Sequence, residues 1–234
     1  MARQSLRAYC CLYWVKIMER TITVRGIGTA SVKPDYIAVT LNIVSTDLEY
    51  TKSVENANKR IELLQKAVIS SGFAKEDLKT LSFNVRTNYE GETDENGRYH
   101  NVFAGYVCRY TLKLSFDMDA KRLADTLTAI SDSGANAEFS IQFTLKNSEI
   151  ISEELLKSAT ENARRKAEIL CEASGAKLGT LLKIDYDWTD INVFSASAYT
   201  MERERGIVAA GAVPEFEPED IKSRDSAAFV WEIT

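Results

Sequence analysis

The fold is decided by the stretch at residues 152–184, SEELLKSATENARRKAEILCEASGAKLGTLLKI. Apolar residues recur in and just before it at spacings of three and four, which places them on one face of a helix. They are Ile151, Leu155, Ala159, Ala163, Ala167 and Leu170. Gly175 stands where a left-handed C-terminal cap is expected, and residues 178–184 then predict a strand. Folding explains all of these residues, so the stretch indicates an architecture and no active site.

Alternating apolar and polar residues predict the other strands. The alternation runs through residues 22–24, 37–43, 81–85, 106–116, 139–145 and 229–233. Helical spacing predicts two more helices, one with a stripe over 54–68 that stops at Gly72 and one over about 119–133 that stops at Gly134. Strands outnumber helices and hairpins join many of them. The sequence therefore predicts an α+β fold with antiparallel sheets in two layers and helices on one face of each sheet.

The predicted elements also suggest how the chain is divided. Residues 18–234 form the folded part, with lobes at about 18–103 and 104–187. Residues 188–224 hold mixed polar segments and the acidic stretch 215–220. We interpret them as a long excursion that packs on a neighbour or is mobile, and residues 225–234 as a strand that returns to a sheet.

Residues 1–17, MARQSLRAYCCLYWVKI, differ from the rest of the chain. The apolar run at 8–15 is short, ends at Lys16 and precedes no small-x-small cleavage site, so it makes a poor signal peptide. It is also too short to span a membrane. We interpret these residues as an upstream extension or a disordered tail, since Met18 directly precedes the first strand. The expected compartment is the cytoplasm; the alternative is export or the cell envelope, with residues 1–17 as a degenerate signal.

Charge and cysteine usage exclude two classes of protein. The chain carries 29 basic and 34 acidic residues, a formal net charge of −5, and the two signs are interspersed. Nucleic-acid binding relies on clustered Lys and Arg, so we expect no nucleic-acid partner. Cys10, Cys11, Cys108 and Cys171 form no metal-ligand spacing. A disulfide scaffold is not expected, and Cys108 and Cys171 fall on predicted apolar faces.

Two motifs with catalytic associations have simpler explanations. Residues 25–30, RGIGTA, begin like a dinucleotide fingerprint, but Ser31 replaces the third glycine and a strand follows instead of a helix. We interpret the glycines as allowing a bulge or close packing in a strand. His100, the only histidine, falls in the predicted hairpin loop 90–100, beside the turn dipeptide Asn96-Gly97. No motif places a nucleophile beside it, so we expect no catalytic residues and no enzyme.

Three acidic residues form the only metal-site candidate. Asp185, Asp187 and Asp190 lie close together with Tyr186 and Trp188 at the predicted exit of a strand. Calcium prefers several oxygen ligands on a short loop, but the glycine and the distal glutamate of an EF-hand loop are missing. We therefore expect no cofactor and keep the three aspartates as candidates for a metal.

Five segments in order resemble the SIMPL-domain family, formerly a domain of unknown function (DUF541). They are ITVRGIGTASVKPDYIAV, FAGYVCRYTLKL, ISDSGANAEFSIQF, ENARRKAEILCEASGAKLGTLLKI and AFVWEI, and together they cover about residues 20–234. The resemblance implies a two-lobed α+β fold and, from one bacterial relative, a large ring-like or channel-like homo-oligomer. It links bacterial members to oxidative-stress defence, immunogenic periplasmic proteins and the cell envelope, and the eukaryotic founder to an adaptor role beside a kinase.

The family has no established catalytic residues, so the resemblance assigns none here. This chain departs from the family in lacking a clear signal peptide, and its Pro-rich segment is reduced to Pro214 and Pro218. We therefore predict a non-enzymatic, self-assembling protein, stress-associated or of scaffold type, whose interface uses open sheet edges and the excursion. The alternatives are a small-ligand or metal-binding module around Tyr186 and Trp188, and a protein-interaction adaptor.

Overall fold

The computed structural model describes residues 20–93, 97–187, 191–201 and 216–234. Within them lie three α-helices, α1 (Tyr50–Ser70), α2 (Ala120–Asp132) and α3 (Glu149–Ser174). The strands there are β1 (Thr21–Val32), β2 (Tyr36–Asp47), β3 (Lys79–Thr93), β4 (Tyr99–Asp117), β5 (Glu138–Thr144), β6 (Leu178–Tyr186), β7 (Phe194–Met201) and β8 (Ile221–Ile233). The predicted α+β fold with antiparallel sheets is confirmed. Residues 1–17 lie outside the described residues.

The strands form two sheets, one in each of two compact units. The order is β1-β8-β6 in the three-stranded sheet and β3-β4-β2-β5-β7 in the five-stranded sheet. Among the described residues, the first unit contains 20–30, 149–187, 191 and 223–234, and the second contains 31–93, 97–148, 192–201 and 216–222. The expected boundary between 103 and 104 falls instead inside β4, which pairs with β3 from Tyr99 to Lys113. A consecutive division fails because β8, from the end of the chain, lies between β1 and β6.

The core of the second unit is built around β2, the middle strand of its sheet. Ile37 lies opposite Phe116 of β4 on one side and Phe143 of β5 on the other. Leu64 of α1 and Leu127 of α2 belong to the same apolar cluster, so both helices cover this face. Ile37 and Leu64 are fully buried, and burying a side chain of this size contributes about 1.5–3 kcal/mol.

The helix ends follow the sequence signals. Asp119 precedes α2, and its carboxylate accepts a hydrogen bond of 2.9 Å from the backbone N–H of Arg122. This bond satisfies one of the donors that the first turn of a helix leaves free. Gly175 follows α3 with φ at +74°, a conformation that costs other residues energy. The predicted helix stop there is confirmed.

One strand was not predicted, because its residues do not alternate regularly between apolar and polar. β7 lies within the expected excursion 188–224 and pairs with β5, where Ile141 faces Tyr199. Ser195 is buried on the core side, whereas Phe194 is 43% exposed. With Ser195 inward and Phe194 outward, the usual alternation is lost at the start of the strand, although Tyr199 further along packs against the core. Residues 188–190 and 202–215 of the excursion lie outside the described residues, and β8 begins at Ile221, four residues before the predicted start.

The β3–β4 hairpin is longer than predicted. β3 continues to Thr93 and β4 begins at Tyr99, and these two residues face each other. His100 therefore lies in β4 opposite Glu92 and not in a loop. The expected loop 90–100 was too long because the polar residues at its ends still pair as strands. Asn96 of the predicted turn lies outside the described residues, and Gly97 has φ at +77°.

α3 packs against the three-stranded sheet at two glycines of β1. A Cβ atom at Gly26 would meet the carbonyl oxygen of Ala159, and one at Gly28 would meet that of Leu155. The helix backbone therefore lies directly against the strand. The interpretation of this RGIGTA motif as close packing is confirmed.

The apolar stripe of α3 is confirmed over most of its length. Ile151 and every fourth residue after it are buried. Cys171 ends the stripe at 3% exposure, whereas Leu170, which was expected there, is 51% exposed. On the sheet side, the stacked rings of Phe229 and Trp231 of β8, with centroids 5.5 Å apart, lie in the same apolar cluster.

We expect Gly28→Ala to destabilise the first unit, because the new methyl group would overlap backbone atoms of α3. Overpacking of this kind costs about 1–3 kcal/mol, and urea denaturation measures the loss in the free energy of unfolding. Thr23→Ala, at an exposed position of the same strand, is the control and should change stability by less than about 0.5 kcal/mol. Equal stability of the two variants would contradict the close packing.

Candidate interaction surfaces

The outer edge of β1 is closed by side chains of α3. β1 ends the strand order of its sheet, so backbone groups on its outer side have no strand partner. Three hydrogen bonds satisfy these groups, from Ile27 N–H to Asn162 Oδ1 at 3.0 Å, from Thr29 N–H to Ser158 Oγ at 3.3 Å and from Lys166 Nζ to the Arg25 carbonyl at 3.2 Å. The three helix residues are four apart and share one face. An edge covered in this way cannot pair with another strand.

The opposite edge of the same sheet, β6, is exposed and apolar. Among the described strands, β6 is hydrogen-bonded to β8 alone. Its side chains include Leu181, Leu182 and Ile184, which are 42%, 49% and 53% exposed. Lys183, which lies between Leu182 and Ile184, forms an exposed ion pair with Asp185 at 2.7 Å. β6 therefore offers both free backbone groups and apolar side chains to a partner.

The five-stranded sheet has a similar edge at β3. Leu81 and Phe83 were expected to be half-buried on a strand face, but they are 57% and 49% exposed. β3 is last in the strand order and pairs with β4 alone among the described strands. Phe83 contacts Tyr110 of β4, with ring centroids 4.6 Å apart. The ring of Phe83 remains about half exposed despite this contact.

Four aromatic residues form a connected surface beside this edge, which we call the aromatic cluster. They are Tyr50, Tyr89, Phe103 and Tyr106. Tyr106 lies 5.7 Å from Tyr50 and 5.3 Å from Phe103, and Phe103 lies 5.9 Å from Tyr89, between ring centroids. Tyr50 and Tyr89 are more than half exposed. Aromatic residues of this kind dominate binding energy in protein interfaces.

A buried acidic residue in the first unit has a structural partner. Asp225 of β8 is 6% exposed, and its carboxylate accepts hydrogen bonds from the Tyr186 hydroxyl at 2.8 Å and from the Ser226 N–H at 2.7 Å. The bond to Asp225, followed by burial, raises the pKa of Tyr186 above its ordinary value of 10.0. The pair links β6 to β8 and satisfies a polar group that would otherwise be costly to bury.

Two of the three candidate metal ligands, Asp185 and Asp187, lie within the described residues. Asp185 is exposed and ion-paired with Lys183, Asp187 is exposed, and Asp190 lies outside the described residues, as does Trp188. Among the described residues, no group of three or more His, Cys, Asp or Glu side chains is placed to hold a metal ion. Nothing in this geometry favours a metal site at the end of β6.

Arg122 and Cys108 also have structural surroundings. An open pocket of about 400 Å³ lies between the end of α1 and the start of α2 and is lined by Ser70, Asp119, Arg122 and others. Its Arg122 donates to the Gly72 carbonyl and lies 3.8 Å above the Phe73 ring. Cys108 is a buried free thiol whose pKa is raised by burial, which keeps it protonated and unreactive.

Comparison with known proteins places the whole of this architecture in one family. The model of the SIMPL family, described as a protein of unknown function (DUF541), matches residues 22–231. The 26 kDa periplasmic immunogenic protein of Brucella melitensis biotype 1 is 24% identical over 183 residues, 77% of this chain and 72% of that protein. Its namesake from Brucella abortus strain S19 is 23% identical over the same shares. The resemblance inferred from five sequence segments is confirmed.

A solved structure of an uncharacterized conserved protein from Listeria innocua aligns with 92% of this chain and 93% of its own, at 9% identity and a TM-score of 0.19. Within the described ranges, no helix combines the length and the apolar character needed to cross a membrane.

Replacing Ser158 and Asn162 together by Ala should expose the edge of β1. The amides of Ile27 and Thr29 then lose their acceptors, and we expect their hydrogen exchange to accelerate, with a loss of about 1 kcal/mol of stability per bond. Amide exchange followed by NMR measures both effects. The control is Thr160→Ala, since that hydroxyl bonds a carbonyl of its own helix. Unchanged exchange at the two amides would contradict the capping role of α3.

Tyr186→Phe should lower stability at neutral pH and change its response to alkali. The folded state holds the phenolic proton more tightly than the unfolded chain, so this contribution is present below pH 10 and is lost as the pH rises through the raised pKa. We expect the variant to lose about 1 kcal/mol at pH 7 and to lack this alkaline decline, in urea denaturation between pH 7 and 11. Tyr89→Phe, at an exposed position, should behave as the wild type; an identical pH profile for Tyr186→Phe would contradict the role of the pair.

Proposed function

The chain belongs to the SIMPL (DUF541) family, and we propose that it is a non-enzymatic protein that assembles with copies of itself. The observation that carries the proposal is the exposed edge of β6, with three apolar side chains 42–53% exposed. Soluble proteins normally blunt such edges with charges, prolines, bulges or a covering element. β6 carries the charged pair Lys183–Asp185 and two register shifts against β8, but these leave its three apolar side chains exposed. An apolar edge of this kind is most simply explained by a partner strand.

The contrast between the two edges of the same sheet supports this proposal. At β1 the chain uses Ser158, Asn162 and Lys166 to occupy the outer backbone groups. No comparable cover lies over β6 in the described part of the chain. Two β6 strands that pair antiparallel would be related by a two-fold axis, and their sheets would join into a single six-stranded sheet. A contact of this kind is closed, so assembly through it does not propagate without limit.

The aromatic cluster favours a second candidate function, that of a protein-interaction adaptor. Its exposed rings could anchor a different protein, as aromatic hot spots do in many complexes. This candidate needs no self-association. A stable monomer in solution would therefore favour the adaptor over the assembly.

The compartment and the physiological role are also proposals. The two Brucella relatives are named as periplasmic immunogenic proteins, which supports the exported alternative, whereas the features of residues 1–17 favour the cytoplasm. Cell fractionation of the native host, followed by N-terminal sequencing of the recovered protein, distinguishes the two compartments.

For the physiological role, we keep the stress-associated or scaffold-type function that the family resemblance implies. Loss of the protein should then lower the survival of the cells under peroxide.

Absolute mass from light scattering, measured at several concentrations, tests the assembly. We expect a discrete multiple of the chain mass for the wild type and a lower mass for Leu182→Lys with Ile184→Lys, because charged edge side chains oppose strand pairing. Ile169→Lys with Leu170→Lys makes the same chemical change at exposed positions of α3 and should keep the wild-type mass. A monomeric wild type would overturn the proposal, and equal masses for the two variants would overturn the role of β6.

A further inference from the structure

The β3–β4 hairpin has a second face that the helices do not cover, and we call it the open face. Alternate residues of β3 lie on it, and each faces a residue of β4 across the hairpin. The β3 residues are Ser82, Asn84, Arg86, Asn88, Glu90 and Glu92, and the residues opposite are Thr111, Arg109, Val107, Gly105, Val102 and His100. All of the charged side chains in this set are exposed.

The charge of the open face changes sign along the hairpin. Arg86 and Arg109 lie on neighbouring rungs and line a pocket of about 200 Å³ with Asn84 and Val107. Glu90 and Glu92 lie on the part of β3 that continues past Asn88. None of these four charged side chains has an ion-pair or hydrogen-bond partner among the described residues.

This arrangement brings no stabilisation to an isolated chain. Arg86 and Arg109 are diagonal neighbours on adjacent strands, a position in which like charges repel each other. Glu90 and Glu92 are two residues apart on the same face, about 7 Å along the strand. Each pair would be stabilised by groups of the opposite charge placed above it.

The spacing of these charges is symmetric about one rung. Arg86 and Glu90 each lie two residues from Asn88, or about 7 Å along the strand. Glu92 lies four residues from Asn88 on one side, and the rung of Asn84 and Arg109 lies four residues away on the other, about 14 Å from the centre in both directions. The central rung pairs Asn88 with Gly105, next to a register shift between Asn88 and Tyr89. Gly105 is buried against the backbone of Asp47, so Asn88 supplies the only side chain of this rung.

We propose that a second copy of this chain docks face to face on the open face, with the two hairpins antiparallel. A two-fold axis that crosses the strands at Asn88 and Gly105 places Glu90 of each copy over Arg86 of the other. The same axis places Glu92 of each copy above the rung that carries Arg109. The two Asn88 amides meet at the axis, where each can donate to the other. The inference rests on the proposed self-assembly and specifies one interface within it.

Two other kinds of partner fit the open face less well. A nucleic acid would need a longer basic track and aromatic residues for base stacking. Here the basic track ends at Arg86, and the acidic Glu90 lies only four residues further along β3. An anionic membrane would meet the same two glutamates and would be repelled by them. A second copy is the partner in which both halves of the pattern find opposite charges.

Charge-reversed variants test the interface directly. Arg86→Glu with Arg109→Glu makes the face wholly acidic, and Glu90→Arg with Glu92→Arg makes it wholly basic. Each variant alone should associate at least about tenfold more weakly than the wild type, because the contacts between charged side chains across the axis become repulsive. An equimolar mixture of the two should recover association at low salt, since each then meets its complement. The mass comes from light scattering, and circular dichroism checks that each variant is folded.

The control is Lys59→Glu with Lys66→Glu, which makes the same change in charge on exposed positions of α1 and should leave association unchanged. Recovery in the mixture that disappears at 1 M salt, where the screening length falls to about 3 Å, would support the interface. A wild-type mass in either reversed variant, or no recovery in the mixture, would overturn this interface and leave the proposed self-assembly intact.

A monomeric wild type would instead overturn the proposed function. Loss of heparin binding without a change in mass would assign the arginines to an external polyanion and overturn the inference.

Discussion

The close approach of α3 to β1 is the contact on which the three-stranded sheet depends. Because Gly26 and Gly28 have no side chains, the helix backbone rests against the strand. That short separation also brings Ser158 and Asn162 within hydrogen-bonding reach of the strand amides. A larger residue at either glycine would displace the helix and weaken both packing and capping. One steric feature therefore buries a face of the sheet and closes an edge.

A different constraint shapes the second unit, where β3 and β4 continue past β2. β2 pairs with β4 only from Tyr106 onward, so the part of β4 at 99–105 has β3 as its only described strand partner. Along this part the apolar face carries Phe103 and Tyr89, whose rings cover each other only in part. These rings remain partly exposed because no described strand or helix covers them. The exposed surfaces of the hairpin thus follow from its length.

The sequence predicted those elements in which apolar residues are buried on one face and polar residues are exposed on the other. The stripes of α1 and α3 and the alternation in β2 and β4 were visible because one face of each lies in a core. β7 was missed since Ser195 and Tyr199 face inward while Phe194 and Ala198 face outward. Exposure of Leu81 and Phe83 was also unpredictable, because alternation shows that a strand has two faces and not what covers them.

Surfaces were harder to predict than elements for a related reason. Ser158, Asn162 and Lys166 are visible in the sequence as a polar stripe with a spacing of four, typical of a solvated helix face. Their acceptors and donors in β1 are backbone groups, which every residue carries and which leave no mark on the sequence. Asp185 shows the opposite difficulty, since it resembles a metal ligand in the sequence and forms an ion pair with Lys183 in the structure.

Edge pairing and charge pairing supply different properties to an assembly. The backbone groups of β6 would accept almost any strand, and exposed edges are a common route to uncontrolled aggregation. Charged side chains contribute little affinity at a surface but discriminate strongly against wrong orientations. A protein that leaves an apolar edge open therefore gains from a second surface that fixes orientation. The sign change between Arg86 and Glu90 provides such a surface, because sliding one hairpin by two rungs places like charges together.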